Sequence, residues 1–308
     1  ATVASGRLKP AGGCSGWRPL LGRDGMWPGS FLRLSGPLHA EPSSLPLCED
    51  LGFGLPEPLG KRLRAPFSAP ELERGFRRAS AEAATATVAS GRQPTAVWIL
   101  GASAVGKSTI APLFAQDLGI PAADPDACRS QGDGGSRICD LDAVLLDGDI
   151  LRLEHAGYQE VVRDGLDRGC TWRSAYPALR SQVRNAKDTL FSQSVARRQN
   201  LVIPHTCQRL ERDCLWMLRE LLSKGYVNHL VIVEGDRDEI RRRGVRRASA
   251  LGKSYAANEY AASLRSFGPM SQHANGQVLR VWNTGPEAPL VTSRSEGGTR
   301  IHGGDATS

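Results

Sequence analysis

The chain has 308 residues, with 39 Lys+Arg against 32 Asp+Glu and a formal charge of +7. Hydrophobic residues make up 40%, and no window approaches the roughly 18 consecutive apolar residues of a membrane-spanning helix, so no membrane partner is expected. The charge is spread as 12 basic and 8 acidic groups in residues 1–92, 25 and 21 in 93–285, and 2 and 3 beyond, which argues against the concentrated basic patch of a nucleic-acid module.

Residues 1–92 hold ten of the 19 prolines and 13 of the 34 glycines, without a sustained hydrophobic period. Such a segment buries too little apolar surface to offset its ordering entropy, and a disordered leader is expected over 1–92. Within residues 1–40, five basic residues stand against the single acid Asp24. An organelle-targeting role would suit that composition, but Pro and Gly interrupt any amphipathic stretch. Seven cysteines (Cys14, Cys48, Cys128, Cys139, Cys170, Cys207, Cys214) form no Cys-x-x-Cys pair. Their odd number and scattered spacing predict reduced thiols in an intracellular, cytoplasmic protein, with no disulfide scaffold or structural zinc.

After Arg92 the texture changes. Apolar runs at 96–100, 143–146, 201–203, 229–233 and 278–282 read as five buried strands. Helical spacing appears between them at 106–118, 158–168, 173–197, 208–223, 237–251 and 256–267, while 119–142, rich in Asp, Gly, Ser and Pro, reads as a long loop. Strands alternating with helices predict a three-layer α/β fold around a parallel five-stranded sheet over 93–285, followed by a disordered tail at 286–308.

Gly101-Ala102-Ser103-Ala104-Val105-Gly106-Lys107-Ser108 matches G-x-x-x-x-G-K-[ST] in full and sits between a strand and a helix. By average residue usage, a chance match in a chain of this size is on the order of one per cent. In such a loop the glycines let backbone N–H groups turn toward phosphate oxygens, and the helix N-terminus adds its positive end. Residues 101–109 therefore predict an ATP site in a P-loop NTPase fold. Lys107 would reach the β- and γ-phosphates, Ser108 would ligate Mg2+, and Thr109 would complete the turn.

Asp147-Gly148-Asp149 ends the second strand. Parallel strands place it on the same sheet edge as the phosphate loop. One carboxylate, Asp147, would support the metal and border the substrate, and Asp149 would take the proton of an acceptor hydroxyl; alternatively both cap the helix that follows. Arg152, His155 and Tyr158 recur at spacings of three and would line the acceptor site.

The string Asp149-x-x-Arg152-x-x-His155-x-x-Tyr158, reached by a strand after a phosphate loop, resembles the zeta toxin family of P-loop kinases. The resemblance spans about 95–283. It implies ATP-dependent phosphorylation of a sugar-nucleotide hydroxyl, with Asp149 as general base. In that family the third strand leads into Glu-Gly-Thr, whereas this chain has Pro204-His205-Thr206. Residues 101–110 and 146–152 are also similar to adenylylsulfate kinases and, less closely, to gluconate kinases.

Arg241, Arg242, Arg243, Arg246 and Arg247 follow the fourth strand, where small-molecule kinases of this fold carry a lid. The zeta-like Arg-x-x-x-Arg-x-x-x-Gly-Arg run matches Arg243, Arg247, Gly252 and Lys253. Arg243 and Arg247, four apart on one helix face, are expected to stabilise the transferring phosphoryl group. The alternative is a nucleotide-binding regulatory module with little turnover, since the Glu is absent and Lys253 replaces an arginine.

Overall fold

The computed structural model describes residues 45–80, 87–121, 141–251, 258–283 and 289–296, with backbone alone for 248–251. A parallel sheet runs in the order β2-β3-β1-β4-β5, formed by β1 (Thr95–Leu100), β2 (Val144–Leu145), β3 (Leu201–His205), β4 (Val227–Glu234) and β5 (Gln277–Trp282). Central β1 pairs on both sides and is buried on both faces, which suits its run of β-branched and aromatic residues. Trp98, at its middle, donates from Nε1 to Asn228 Oδ1 at 3.1 Å, which satisfies the indole N–H between two fully buried side chains. Leu100 stands opposite His205 of β3 and Ile232 of β4, so the carboxyl ends of the three strands share one edge.

Successive residues of each strand serve opposite faces. Val97, Ile99, Val202, Val231 and Leu279 meet α3 (Lys107–Asp117) through Ile110, Ala111 and Phe114. Trp98, Leu100, Ile203, Leu230 and Ile232 meet the other layer. That layer comprises α4 (Gly148–Glu154), α7 (Arg180–Ala196), α8 (Trp216–Ser223) and α10 (Asn258–His273), which contribute Leu151, Leu190, Phe191, Leu218, Leu221 and Met270. Helix α9 (Arg237–Leu251) follows β4, and α5 (Ala156–Asp167) and the short α6 (Ala175–Ala178) precede α7. The three-layer reading is thus met, with each of the five expected strands in place.

Three expectations need correction, and a fourth falls mostly outside the described residues. First, residues 45–80 are ordered. They form α1 (Glu57–Arg64) and α2 (Ala69–Ala79), packed on α5 and α4; residues 1–44 and 81–86 lie outside the described residues. Both helices carry a proline at their second position, Pro58 and Pro70, and are rich in charged residues, so each buries only a narrow stripe, and the apolar surface that completes it belongs to other elements. Ser68 caps α2, its N–H and hydroxyl both donating to Glu71, at 2.6 and 2.7 Å. Second, within the expected tail, β6 (Leu290–Glu296) adds an antiparallel edge to β5. Its polar sequence, LVTSRSE, is that of a solvated edge strand and lacks a buried face.

Third, four cysteines are paired rather than free: Cys48 with Cys170, and Cys207 with Cys214. The first joins residues 122 apart, a pairing set by the fold rather than by any local spacing. His205 Nδ1 lies 3.2 Å from Cys214 Sγ, but sulfurs joined to each other offer no thiolate to a metal. Fourth, the expected loop over 119–142 falls mostly outside the described residues. No helix among the described residues is long and apolar enough to cross a membrane.

Candidate active site

The strand edge carries the two sequence motifs together. Gly101 leaves β1 so close to β4 that a Cβ would sit 2.7 Å from the Val233 carbonyl oxygen. Gly106 caps α3 in the left-handed region, at φ 95°, and a Cβ there would collide with Asn283 Nδ2. Asn283, at the end of β5, donates from that nitrogen to the Val105 carbonyl at 2.6 Å, a brace on the loop that no motif announces. Lys107 Nζ donates to the carbonyls of Gly101 and Ala102 at 3.0 and 2.8 Å, so in this state it spans its own loop.

The second loop arrives from β2. Asp147 is the N-cap of α4, accepting from the Asp149 N–H at 2.9 Å, and its other oxygen lies 3.4 Å from Ser108 Oγ. Asp147 thus caps a helix and also borders the phosphate-loop serine. Asp149 is held from two sides, by Arg152 of its own helix and by Arg247 of α9. Arg152 is almost entirely buried, its guanidinium carbon 3.8 Å from the centre of the Tyr176 ring, and its Nε has no partner. Burial opposes its charge, but Asp149 and the Tyr176 and Tyr158 oxygens outweigh that and raise its pKa.

Three site expectations are redirected. His155 is 2% exposed and turns away from the strand edge. Its Nε2–H donates to the Ala65 carbonyl at 2.9 Å, its Nδ1 accepts from Tyr158 N–H at 3.2 Å, and its ring meets Phe67 edge-on at 4.9 Å. These contacts tie it to the α1–α2 hairpin. Tyr158 is buried behind Arg152, 6.0 Å from its guanidinium, and burial pushes its hydroxyl up to about 12. Arg243 pairs with Glu239 at 2.9 Å, one turn back on α9, so of the two chosen arginines only Arg247 reaches the carboxylates. Gly252 and Lys253 lie outside the described residues.

Two participants were missed by sequence. Tyr176 carried no motif, yet it forms the face on which Arg152 rests. Lys187 of α7 carried no motif either, yet its half-buried side chain shares this edge with Asp147 and Asp149. At the end of β3, His205 accepts the Cys207 N–H on Nδ1 at 2.9 Å. Burial, Lys187 and Lys107 together hold its pKa well below the ordinary 6.5, which makes it a neutral imidazole.

A phosphate loop between β1 and α3, on a parallel sheet of order 2-3-1-4-5, defines a P-loop NTPase fold of the kinase-like kind. No protein-family model matches the chain, and no curated protein matches it. Among solved structures it is similar to a chain of the PezAT chromosomal toxin–antitoxin system of Streptococcus pneumoniae. The TM-score is 0.49 at 15% identity, covering 75% of this chain and 82% of that one. It is also similar to a chain of AvrRxo1-ORF1:-ORF2 with ATP, with TM-score 0.44 at 13% identity, covering 79% of this chain and 69% of that one.

Proposed function

We propose that the chain is an ATP-dependent phosphotransferase of the zeta toxin-like kind, moving the γ-phosphoryl group to a hydroxyl of a small anionic or nucleotide-linked acceptor. The observation that carries this reading is the meeting of the two loops, with Ser108 Oγ 3.4 Å from Asp147 Oδ2 and Asp149 two residues further on. Two hard oxygen donors at that spacing suit Mg2+, which Ser108 and Asp147 would hold, directly or through water, and which neutralises phosphate charge when bound.

In the reaction the acceptor oxygen bonds to the γ-phosphorus, the bond to the β,γ-bridging oxygen breaks, and ADP leaves. The acceptor proton passes to the Asp149 carboxylate. Lys107 exchanges its loop carbonyls for phosphate oxygens, and Arg247 exchanges Asp149 for the transferring group, which frees the base. Arg152, with its unpartnered Nε and its Tyr176 backing, would orient an anionic acceptor.

Consumption of Mg·ATP, screened against sugar nucleotides, adenylylsulfate and gluconate, tests the reading. Asp149→Ala is expected to bind ATP and abolish turnover, and turnover unchanged in that variant would sink the assignment. A second reading, a nucleotide-binding regulatory module, draws on the double clamp on Asp149 and on Pro204-His205-Thr206 at the end of β3. It predicts ATP binding abolished by Lys107→Ala, with no turnover on any acceptor.

A further inference from the structure

Lys187 lies one turn beyond Val183 on α7, and Val183 is the residue that closes over Gly148, 2.9 Å from where a Cβ there would stand. Helical geometry therefore carries the lysine along the face that looks onto the Asp147–Asp149 turn. Its neighbours Ala186 and Leu190 are buried in the core and fix the orientation of the helix. The charged groups around the ammonium come from every side: Asp147 and Asp149 from the β2–α4 turn, Asp213 from the π-helical turn Glu211–Leu215, and Asp188 from its own helix. His205 feels both Lys187 and Lys107, which brings the two lysines to the same strand end.

Among the described residues Lys187 nevertheless makes no hydrogen bond and no ion pair. A half-buried ammonium without a direct partner is costly, and a methionine of similar length would pack beside Ala186 and Leu190 without that cost. Burial accordingly lowers its pKa to about 8 against the pull of the surrounding carboxylates, Asp147 foremost. Its surroundings are those of a cation awaiting an anion.

We propose that Lys187 is a phosphate-binding residue of this site, its ammonium taking the γ-phosphate of the bound nucleotide from the side opposite the lid. The assignment rests on the nucleotide-site reading above. It adds a second lysine to Lys107, supplied by α7 rather than by the phosphate loop. Only a ligand with a γ-phosphate makes this contact, so the residue gives the site its preference for triphosphate over diphosphate.

The test measures Mg·AMP-PNP and Mg·ADP binding by titration calorimetry to the full chain, as wild type, Lys187→Met and Lys187→Arg. Lys187→Met is expected to weaken Mg·AMP-PNP about tenfold, in line with the loss of one charge-assisted hydrogen bond, and to leave Mg·ADP within about twofold. Lys187→Arg is expected to retain most of the preference. Equal weakening of both nucleotides assigns the lysine to general support of the Asp147 turn and overturns the proposal, as does no change in either. A wild type that binds neither nucleotide overturns the nucleotide site itself and this assignment with it. If Lys187→Met does not fold, amine acylation of the wild type at pH 8, mapped by mass spectrometry, decides the matter. Lys187 should be labelled in the free protein and protected by Mg·AMP-PNP but not by Mg·ADP. Equal labelling under both nucleotides, or none in the free protein, overturns the proposal.

Discussion

Replacing Gly157 by alanine tests whether the α1–α2 hairpin belongs to the domain. Gly157 is the second residue of α5 and lies directly under α1. A Cβ there would stand 2.5 Å from the Arg62 carbonyl oxygen, 2.6 Å from its carbon and 2.8 Å from Leu63 N. All three are backbone atoms, so no side-chain rotation relieves the overlap; the helices must separate by about 1 Å to restore ordinary contact. That movement unseats Leu63, which is fully buried, and stretches the 2.9 Å bond from His155 Nε2 to Ala65 beyond hydrogen-bond length. Overpacking of this kind costs about 1–3 kcal/mol, and the lost bond adds about 1 kcal/mol. At roughly 2–4 °C per kcal/mol for a domain of this size, melting should fall by roughly 5–15 °C. Scanning fluorimetry reads the melt, and trypsin reads the hairpin through Arg62, Arg64, Arg74, Arg77 and Arg78. A variant that melts with the wild type and is cut no faster refutes the docking of the hairpin.

Three further outcomes follow from the same contacts. Burial alone would raise the Glu71 carboxyl, but the N–H groups of Ala156 and Ser68, the Ser68 hydroxyl and the nearby His155 hold it below its ordinary 4.5. Its stabilisation is complete above that ordinary value and lost as pH falls through the lowered native one, so Glu71→Gln should flatten stability below about pH 4.5; an unchanged acid limb in urea titrations counts against the bridge. Reduction of Cys48–Cys170, or Cys48→Ser with Cys170→Ser, releases a closure across 122 residues and should cost about 2–4 kcal/mol in denaturant melts. A double variant as stable as the wild type would show that the bond constrains nothing. Arg247→Met should lower phosphotransfer at least about tenfold while Arg243→Met stays within about twofold, because only Arg247 reaches Asp149. Equal losses in the two variants would refute the distinction.

The sheet and the phosphate loop were legible because their signals are local. Ala96–Leu100 is apolar throughout and ends in a glycine motif whose spacing is dictated by phosphate geometry. The hairpin was illegible for the opposite reason. In α2 only Glu71, Gly75 and Ala79 are buried outright, and the residue that fixes it, Glu71, acts on Ala156, 85 positions away. His155 shows the limit of a spacing argument. Its interval of three from Arg152 suggested a shared helical face, but α4 ends at Glu154, and His155 is at once the C-cap of that helix and the N-cap of α5. The chain bends there, and the imidazole goes to the hairpin.

The same long-range logic applies at the end of β3, where the chain carries Pro204-His205-Thr206 in place of Glu-Gly-Thr. The neutral His205 adds no charge there, and the nearby carboxylates of Asp147 and Asp149 are engaged with Ser108, Arg152 and Arg247. Lys107, Lys187, Arg152 and Arg247 thus meet Asp147, Asp149, Asp188 and Asp213 at one strand edge, a dense and mixed local charge cluster. It is the local charge at this edge, and not the diffuse +7 of the whole chain, that bears on what binds.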